Sequence, residues 1–551
     1  MNSSTKSLLS FLNKTSRPAD VFTVEEFTDE HLMLKETVEK FVDREVFPVL
    51  HMIEQKQFDE TKRLMLKAGE LGLIAADIAE EYGGLELGKV SAAIIAEGMA
   101  KARSFNITFS GQTGIGALPI ALFGTPEQKS RYLPKLLTGE HIAAYALTEP
   151  SAGTDALGIK TSATLSPCGR YYILNGEKQW ITNSGFADIF IVYAKVDHQH
   201  FTAFIVEAAS EGLSTGPEEN KMGLDGSSTR SVILDQVHVP VENVIGEIGR
   251  GHIIAFNVLN FGRHKIALSS LGTAKRAIEL AIEYGNVRQQ FKQPLTSFPL
   301  IREKIADMVA ESIAVESVVY RTAGEMEESF SEPYDSIAKL VGKFAVHCSI
   351  NKVMATEAAG KIVDEALQIH GGYGYMREYE IEQLYRDVRI NRIFEGTNEI
   401  NRILIANHIM KAYEPVVEEE HVSGPLEKEY QKLNLARVIL KELIESARKN
   451  NLTDMNKEQE LAAAIADMAI GLYAMDSLLA RARKTSGDQK IEIAAKVYVH
   501  KTLQQFMNLA LYLKNYAGIG VEAIQKAHQA IIESADNLIG LKRQLAEIVI
   551  S

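Results

Sequence analysis

Residues 171–183, YYILNGEKQWITN, mark the point where the chain changes texture. The run is rich in β-branched and aromatic residues. Its Asn175-Gly176 pair is a strong short-range hairpin signal. Three neighbours share its character: DIFIVYAKV from Asp188, FTAFIVEAA from Phe201 and SVILDQVHVP from Ser231. Each is bounded by Gly, Asn, Asp or Pro, so residues 141–248 read as an antiparallel sheet or small barrel.

On both sides of this block the period becomes helical. In EEFTDEHLMLKETVEKFVDREVF, Leu32, Leu34, Val38, Phe41 and Val42 fall near one stripe. The stretches DETKRLMLKAGELG and KVSAAIIAEGMAKARS complete a helical block over 25–140. A third block, 249–414, holds SSLGTAKRAIELAIEYGNVRQQF and SIAKLVGKFAVHCSINKVMATEAAGKIVDEALQIHGG. The loop-like EPVVEEEHVSGPLEKE precedes a fourth, helical block over 425–551. Residues 1–24 are Ser-rich, weakly basic and poor in Arg. They read as an N-terminal arm, with a targeting peptide as the alternative.

With 551 residues, 46% hydrophobic and 24% charged, the chain has the composition of a multidomain globular protein. Its net charge of −13 argues against nucleic-acid binding. Cys168 and Cys348 form no CxxC pair and no metal-like spacing. No window holds 18 uninterrupted apolar residues, so nothing reads as a membrane span.

Three segments are too rich in special residues to be plain scaffold. YALTEPSAGTDA, Tyr145 to Ala156, combines Pro150 and Gly153 with the hydroxyls of Thr148 and Thr154, a turn suited to an anionic or heteroaromatic ligand or simply a linker. KQWITNSG holds the only Trp, Trp180, followed by Thr182; a lone Trp in a sheet is most often a core or interface anchor. QIHGGYGYM, from Gln368, ends a long helix at Gly371 and Gly372, first of all a helix C-cap.

A fourth segment, RIFEGTNEINR, carries Glu395 and Glu399. Thr397 is a good N-cap, and Ile400, Ile403, Leu404 and Ile405 make an apolar side for the helix that follows. Glu399 then lies in the first turn, where the helix dipole favours an acid, and Arg402 is a partner within reach. No helix rule needs Glu395. Burial beside Phe394 would raise its pKa towards the range of a general base, which makes it the better chemical candidate.

Taken together, YALTEPSAGTDA, EKQWITNSG, GRHKIALSSLGTAKRAIELAIEYGNVRQQF and QIHGGYGYMREYEIEQLYRDVRINRIFEGTNEI resemble the acyl-CoA dehydrogenase flavoproteins. The match covers residues 25–413 in the family's order. It implies a mainly α fold with a central β domain, an α–β–α architecture. The block after 425 resembles the very-long-chain branch, which adds a C-terminal α domain and is typically homodimeric. The resemblance implies FAD as cofactor and dehydrogenation of acyl-CoA thioesters, long-chain ones for this branch, within fatty acid β-oxidation. Electrons would pass to an electron-transferring flavoprotein. An oxygen-using acyl-CoA oxidase and a non-catalytic assembly protein are the alternatives. A bacterial, cytoplasmic member is expected, with a mitochondrial one as alternative and peripheral membrane contact as an option.

Residue by residue, the resemblance makes Glu395 the catalytic base. It sets Gly396 against the thioester, whose carbonyl would accept from the Glu395 N–H, an oxyanion-hole contact worth about 3–4 kcal/mol. Tyr145, Leu147, Thr148 and Thr154 match the loop around the flavin, Thr154 also lying near CoA. Trp180 and Thr182 match its other side. Arg288, Phe291, Gln368, Gly371 and Gly372 match groups holding pyrophosphate and adenine across a subunit interface, and Thr397 and Glu399 the last FAD contacts. Asn260 and Arg263 match substrate-side positions. Some members carry the base on the helix around LNFGRHKIA; here that helix has Gly262 and no carboxylate from Arg250 to Ser270. Two departures concern the adenine end: Lys292 stands where Gly is usual, and Phe298-Pro299 replace more polar residues.

Overall fold

The structure, a computed structural model, describes residues 9–414, 422–533 and 537–550. The first eight residues of the N-terminal arm and residues 415–421 of the acidic interval lie outside the described residues. The chain divides into two compact units: Thr28–Gly272 with Ser329–Ala345, and Met1–Phe27 with Thr273–Glu328 and Val346–Ser551.

The unit from Thr28 starts helically. Thr28 caps Asp29–Phe41 by accepting from the His31 N–H at 3.3 Å. Val38, Phe41 and Val42 are buried as the stripe requires, whereas Leu32 is 50% exposed. The buried face therefore starts one turn later than the apolar pattern, and Leu32 is an ordinary surface leucine. Pro126–Leu137, N-capped by Thr125 with Gln128, leads into the sheet.

The strands are β1 Ala143–Ala146, β2 Ser162–Leu165, β3 Tyr171–Thr182, β4 Ile189–Val196, β5 His200–Glu207, β6 Leu213–Thr215, β7 Thr229–Pro240 and β8 Val244–Ile245. They run in the order β6-β7-β3-β2-β4-β5-β8, with β1 beside β4. The sheet is mixed: β1 and β2 both run parallel to β4, which corrects the purely antiparallel expectation. Tyr172, Leu174, Phe190, Val192, Phe204 and Val232 lie in its core.

Asn175-Gly176 makes no hairpin. It lies inside β3, where the register to β7 shifts between Leu174 and Gly176. A Gly in a strand interior marks a bulge or a close backbone approach, and here it does both. A Cβ on Gly176 would stand 2.8 Å from the Thr161 Cα. Asn175 Oδ1 accepts instead from the backbone N–H and side-chain amide of Gln236, each at 2.9 Å.

A second shift lies between Lys178 and Ile181. Strict alternation would put residues 172, 174, 176, 178 and 180 on one face. The second bulge reverses the phase, so Ile181 turns inward at 2% exposure and Trp180 outward at 61%. Trp180 itself takes the left-handed backbone, φ +58°.

In the other unit, the helix Asn398–Ala412 packs on Gln459–Lys484, and Glu427–Lys449 packs on both Gln459–Lys484 and Gln489–Leu513. Gln459–Lys484 is, among the described residues, the one helix long and apolar enough to cross a membrane, yet 89% of its apolar window is buried. A helix hydrophobic all round is what a large core demands. It carries the fully buried Asp476, which accepts from Arg437 at 3.0 Å and from Arg321 at 2.9 Å. Burial opposes the Asp476 charge, but these two guanidinium groups outweigh it and hold its pKa below the usual range.

The same Arg437 binds the arm, donating to Phe11 O and Thr15 Oγ1 at 3.0 Å and to Lys14 O at 2.9 Å. Residues 9–16 are thus an ordered element stapled to the C-terminal helices.

Candidate active site

In the sheet-bearing unit, the segment after β1 is tied down by a buried ion pair. Lys178, fully buried, donates to Glu149 Oε1 at 2.8 Å and to Leu147 O at 3.2 Å. Glu149 also accepts from the backbone N–H groups of Lys160 and Thr161 at 2.6 and 3.0 Å. Burial penalises both charges. It pulls Lys178 down to about 8, whereas at Glu149 the Lys178 charge and the donated hydrogen bonds prevail and lower the pKa. Thr148 O accepts from the Gln179 N–H at 2.9 Å, which joins Leu147 and Thr148 to the strand bearing Trp180 and Thr182. Tyr145 lies against Tyr193 with ring centroids 5.1 Å apart.

Trp180 is therefore no core anchor. Its indole is mostly exposed and its backbone is left-handed. A non-glycine residue held there costs on the order of 1 kcal/mol, which the surrounding structure must offset. Thr154 and Gly153 are exposed, with nothing within 4 Å of a Cβ on Gly153. An open indole two residues before Thr182, on the strand whose Gln179 binds Thr148 O, suits a planar heteroaromatic ligand stacked on the ring. Asn260 and Arg263 lie together on the helix Gly251–Val287, both buried, Arg263 Nη1 donating to Asn260 Oδ1 at 2.8 Å.

In the other unit, Glu395 and Gly396 are consecutive left-handed residues, φ +54° and +82°. Glu395 is half-buried, with Oε2 shielded from solvent. Thr397 caps the following helix, its Oγ1 accepting from the Ile400 N–H at 3.3 Å. Glu399 is exposed in the first turn. Arg402 does not pair with it: the guanidinium is taken by Glu357 at 2.7 Å and Asp467 at 2.7 Å.

The buried face of this helix is Asn398, Asn401, Ile405, Ala406 and Ile409, while Ile400, Ile403 and Leu404 are half-buried. Two asparagines displace the expected isoleucines because the preceding loop needs donors. Asn401 Nδ2 donates to Gly396 O at 2.8 Å and Thr397 O at 3.0 Å.

Arg288 lies over the Tyr373 ring, 5.3 Å from its centroid, and so beside Gly371 and Gly372. Gly371 is left-handed, φ +59°, as a C-cap requires. Gln368 and both glycines are exposed. Phe291 is 89% exposed, left-handed at φ +51°, and edge-on to Phe298 at 6.1 Å. His370 stacks on Tyr284 at 4.4 Å and is a packing residue.

Lys178, Glu149, Asn401 and the buried Lys352 are participants that sequence reading passed over. Lys178 is in phase with the buried Tyr172 and Leu174, but a lysine in a strand reads as solvated. Glu149 sits in YALTEPSAGTDA but reads locally as a solvated acid.

Four family models match the chain: the acyl-CoA dehydrogenase N-terminal domain over residues 28–140, the middle domain over 144–237, and two C-terminal domain models over 249–410 and 438–516. A probable acyl-CoA dehydrogenase of Bacillus subtilis is 48% identical over 89% of this chain and 87% of its own length. The chain belongs to the acyl-CoA dehydrogenase family. A mitochondrial very long-chain specific acyl-CoA dehydrogenase of Bos taurus is 36% identical, covering 82% of this chain and 76% of that protein. The crystal structure of an acyl-CoA dehydrogenase complexed with FAD from Bacillus anthracis superposes with a TM-score of 0.94 at 46% identity, covering 98% of each chain. The acyl-CoA dehydrogenase architecture of helical, β and helical domains with a further C-terminal helical domain is therefore the fold of this chain. It is an oxidoreductase of an FAD-dependent family.

Proposed function

We propose that this acyl-CoA dehydrogenase converts long-chain acyl-CoA to trans-2-enoyl-CoA in fatty acid β-oxidation, with Glu395 as the base. The observation that carries the assignment is the backbone at Glu395: a left-handed glutamate beside a left-handed glycine, just ahead of an N-capped helix. Glu395 takes the α-proton of the thioester, and the electron pair left behind becomes the new C=C bond as the β-hydrogen departs with two electrons. FAD, when bound, supplies the acceptor for that hydride.

The Glu395 N–H donates to the thioester carbonyl, where negative charge gathers as the proton leaves. Asn260 and Arg263 serve the thioester and CoA, with Thr154. Tyr145, Leu147, Thr148, Trp180 and Thr182 hold the flavin ring; Arg288, Phe291, Gln368, Gly371 and Gly372 its diphosphate and adenine; and Thr397 and Glu399 complete the contacts. Electrons leave to an electron-transferring flavoprotein past the exposed Trp180.

Exposed Val287, Phe291, Leu300, Tyr375 and Met376 give one unit an apolar surface that suits a homodimer. Exposed Leu511, Tyr512 and Tyr516 suit peripheral contact with a membrane from a bacterial cytoplasm. The stretch IESARKNNLTDMNK, mixed in charge, limits how strong that contact is.

Anaerobic mixing with saturated acyl-CoA of increasing length tests the reading. Flavin absorbance bleaches with long chains and the product is the trans-2-enoyl thioester. No bleaching with any length would remove the enzymatic role. Peroxide formed in air at the rate of substrate loss would make the protein an oxidase.

A further inference from the structure

A chain of buried and half-buried polar groups runs from the C-terminal helical block to the residue after Glu395. Its inner end is Lys352, fully buried on the helix Ala345–His370. Its ammonium donates to Gly396 O at 3.0 Å and to Asn398 Oδ1 at 2.7 Å. Because Oδ1 faces the ammonium, the Asn398 amide nitrogen points the other way. It donates to Thr356 Oγ1 and Glu357 Oε1, each at 3.1 Å. Glu357 in turn holds Arg402 in a two-pronged pair at 2.7 and 3.0 Å, and Arg402 Nε reaches Asp467 at 2.7 Å. Two cations and two anions alternate along the path, so it closes without net charge.

We propose that Lys352 and Asp467 are positioning residues for the base, and that the C-terminal block acts on catalysis by bracing the Glu395 loop through this path. The proposal rests on the reading of Glu395 given above. Two consecutive left-handed residues, one of them not glycine, form a backbone that local preferences do not hold. The Gly396 carbonyl is gripped from two sides, by Lys352 and by Asn401 at 2.8 Å. That grip fixes the Gly396–Thr397 peptide plane, one residue beyond Glu395.

Asp467, at the outer end, belongs to Gln459–Lys484, inside the region matched by the fourth family model. A chain ending near Tyr413 would have no residue at that position. The brace is thus a specific use for the added block, distinct from membrane contact or assembly.

The test uses full-length, FAD-loaded protein. Asp467→Asn preserves shape at a half-exposed site and removes one charge. It is expected to lower kcat at least about 5-fold with KM changed less than about 2-fold, as loss of alignment does without loss of binding. Amide hydrogen exchange in the 390–402 peptide should speed up, while the 171–183 peptide is unchanged. Lys352→Met should cost about 10²-fold in kcat, the scale of a misplaced reacting group, with flavin content retained. The Asp467→Asn effect should vanish in the Lys352→Met background, since both act through one path.

Wild-type exchange and turnover in Asp467→Asn, or additive losses in the double variant, would overturn the proposal. If Lys352→Met does not fold, the exchange and kcat of Asp467→Asn decide alone. Retained turnover in Glu395→Gln would instead remove the underlying reading of the base, whatever the exchange of these variants shows.

Discussion

Lys352 and Gly396 are joined by a hydrogen bond of 3.0 Å from a fully buried ammonium to a backbone carbonyl. The carbonyl belongs to the residue after Glu395, so the loop of the proposed base is tied to a residue 44 positions upstream in sequence. The segment after β1, in the sheet-bearing unit, is held alike. A buried Lys178 and Glu149 fix the segment leading to Thr154.

Replacing Glu149 by Gln leaves the Lys178 ammonium buried without its carboxylate. The expected loss at neutral pH is about 3–5 kcal/mol, seen as a lower thermal midpoint. Glu149 titrates below its ordinary value of 4.5 in the folded protein, so its stabilisation is complete above that value and is lost as pH falls through the lower, folded one. The difference in midpoint between wild type and Glu149→Gln should therefore shrink on acidification below 4.5. A gap independent of pH would contradict the assignment.

Trp180→Gly should leave the midpoint nearly unchanged. Glycine relieves the left-handed strain but adds chain entropy of a similar size, about 0.5–1 kcal/mol. Flavin affinity, read by fluorescence titration, should fall at least about tenfold, because stacking on the ring is lost. A large loss of stability with flavin affinity intact would mean that the indole serves the fold.

Gly176→Ala sets a methyl group 2.5 Å from Thr161 Oγ1 and 2.8 Å from its Cα. Thr161 donates to Glu149, so the strain passes directly to the segment before the ion pair. A destabilisation of about 2–4 kcal/mol is expected in denaturant melts, where an ordinary hairpin glycine would cost about 1 or less.

Arg437→Met removes the donor set that staples the N-terminal arm. About 3–5 kcal/mol should be lost, because Asp476 stays buried with one partner fewer. Trypsin should then cut after Lys14 under conditions where the wild type resists, Arg17 being protected by the Pro18 that follows it.

The order of helical and sheet blocks was legible because each has its own period. So was the helix start in RIFEGTNEINR, where Thr397 is the N-cap and Glu399 lies in the first turn. Legibility ended where the backbone leaves its period. The bulge after Lys178 in β3 reverses which face the following residues take, which turned an expected core Trp180 outward, while Lys178 keeps the inward phase of Tyr172 and Leu174. Lys352 was invisible for another reason. A lysine on an amphipathic helix reads as solvated, and its partners lie 44 and 46 residues away. Arg402 was assigned to the nearest acid in sequence, whereas a guanidinium with two carboxylates in bidentate reach takes those.

Anaerobic reduction of the bound flavin by a saturated long-chain acyl-CoA, compared between wild type and Glu395→Gln, bears most directly on the assignment of the base. The variant should keep its yellow flavin and bind substrate, yet bleach at least about 10²-fold more slowly. Bleaching at the wild-type rate would show that another group removes the α-proton.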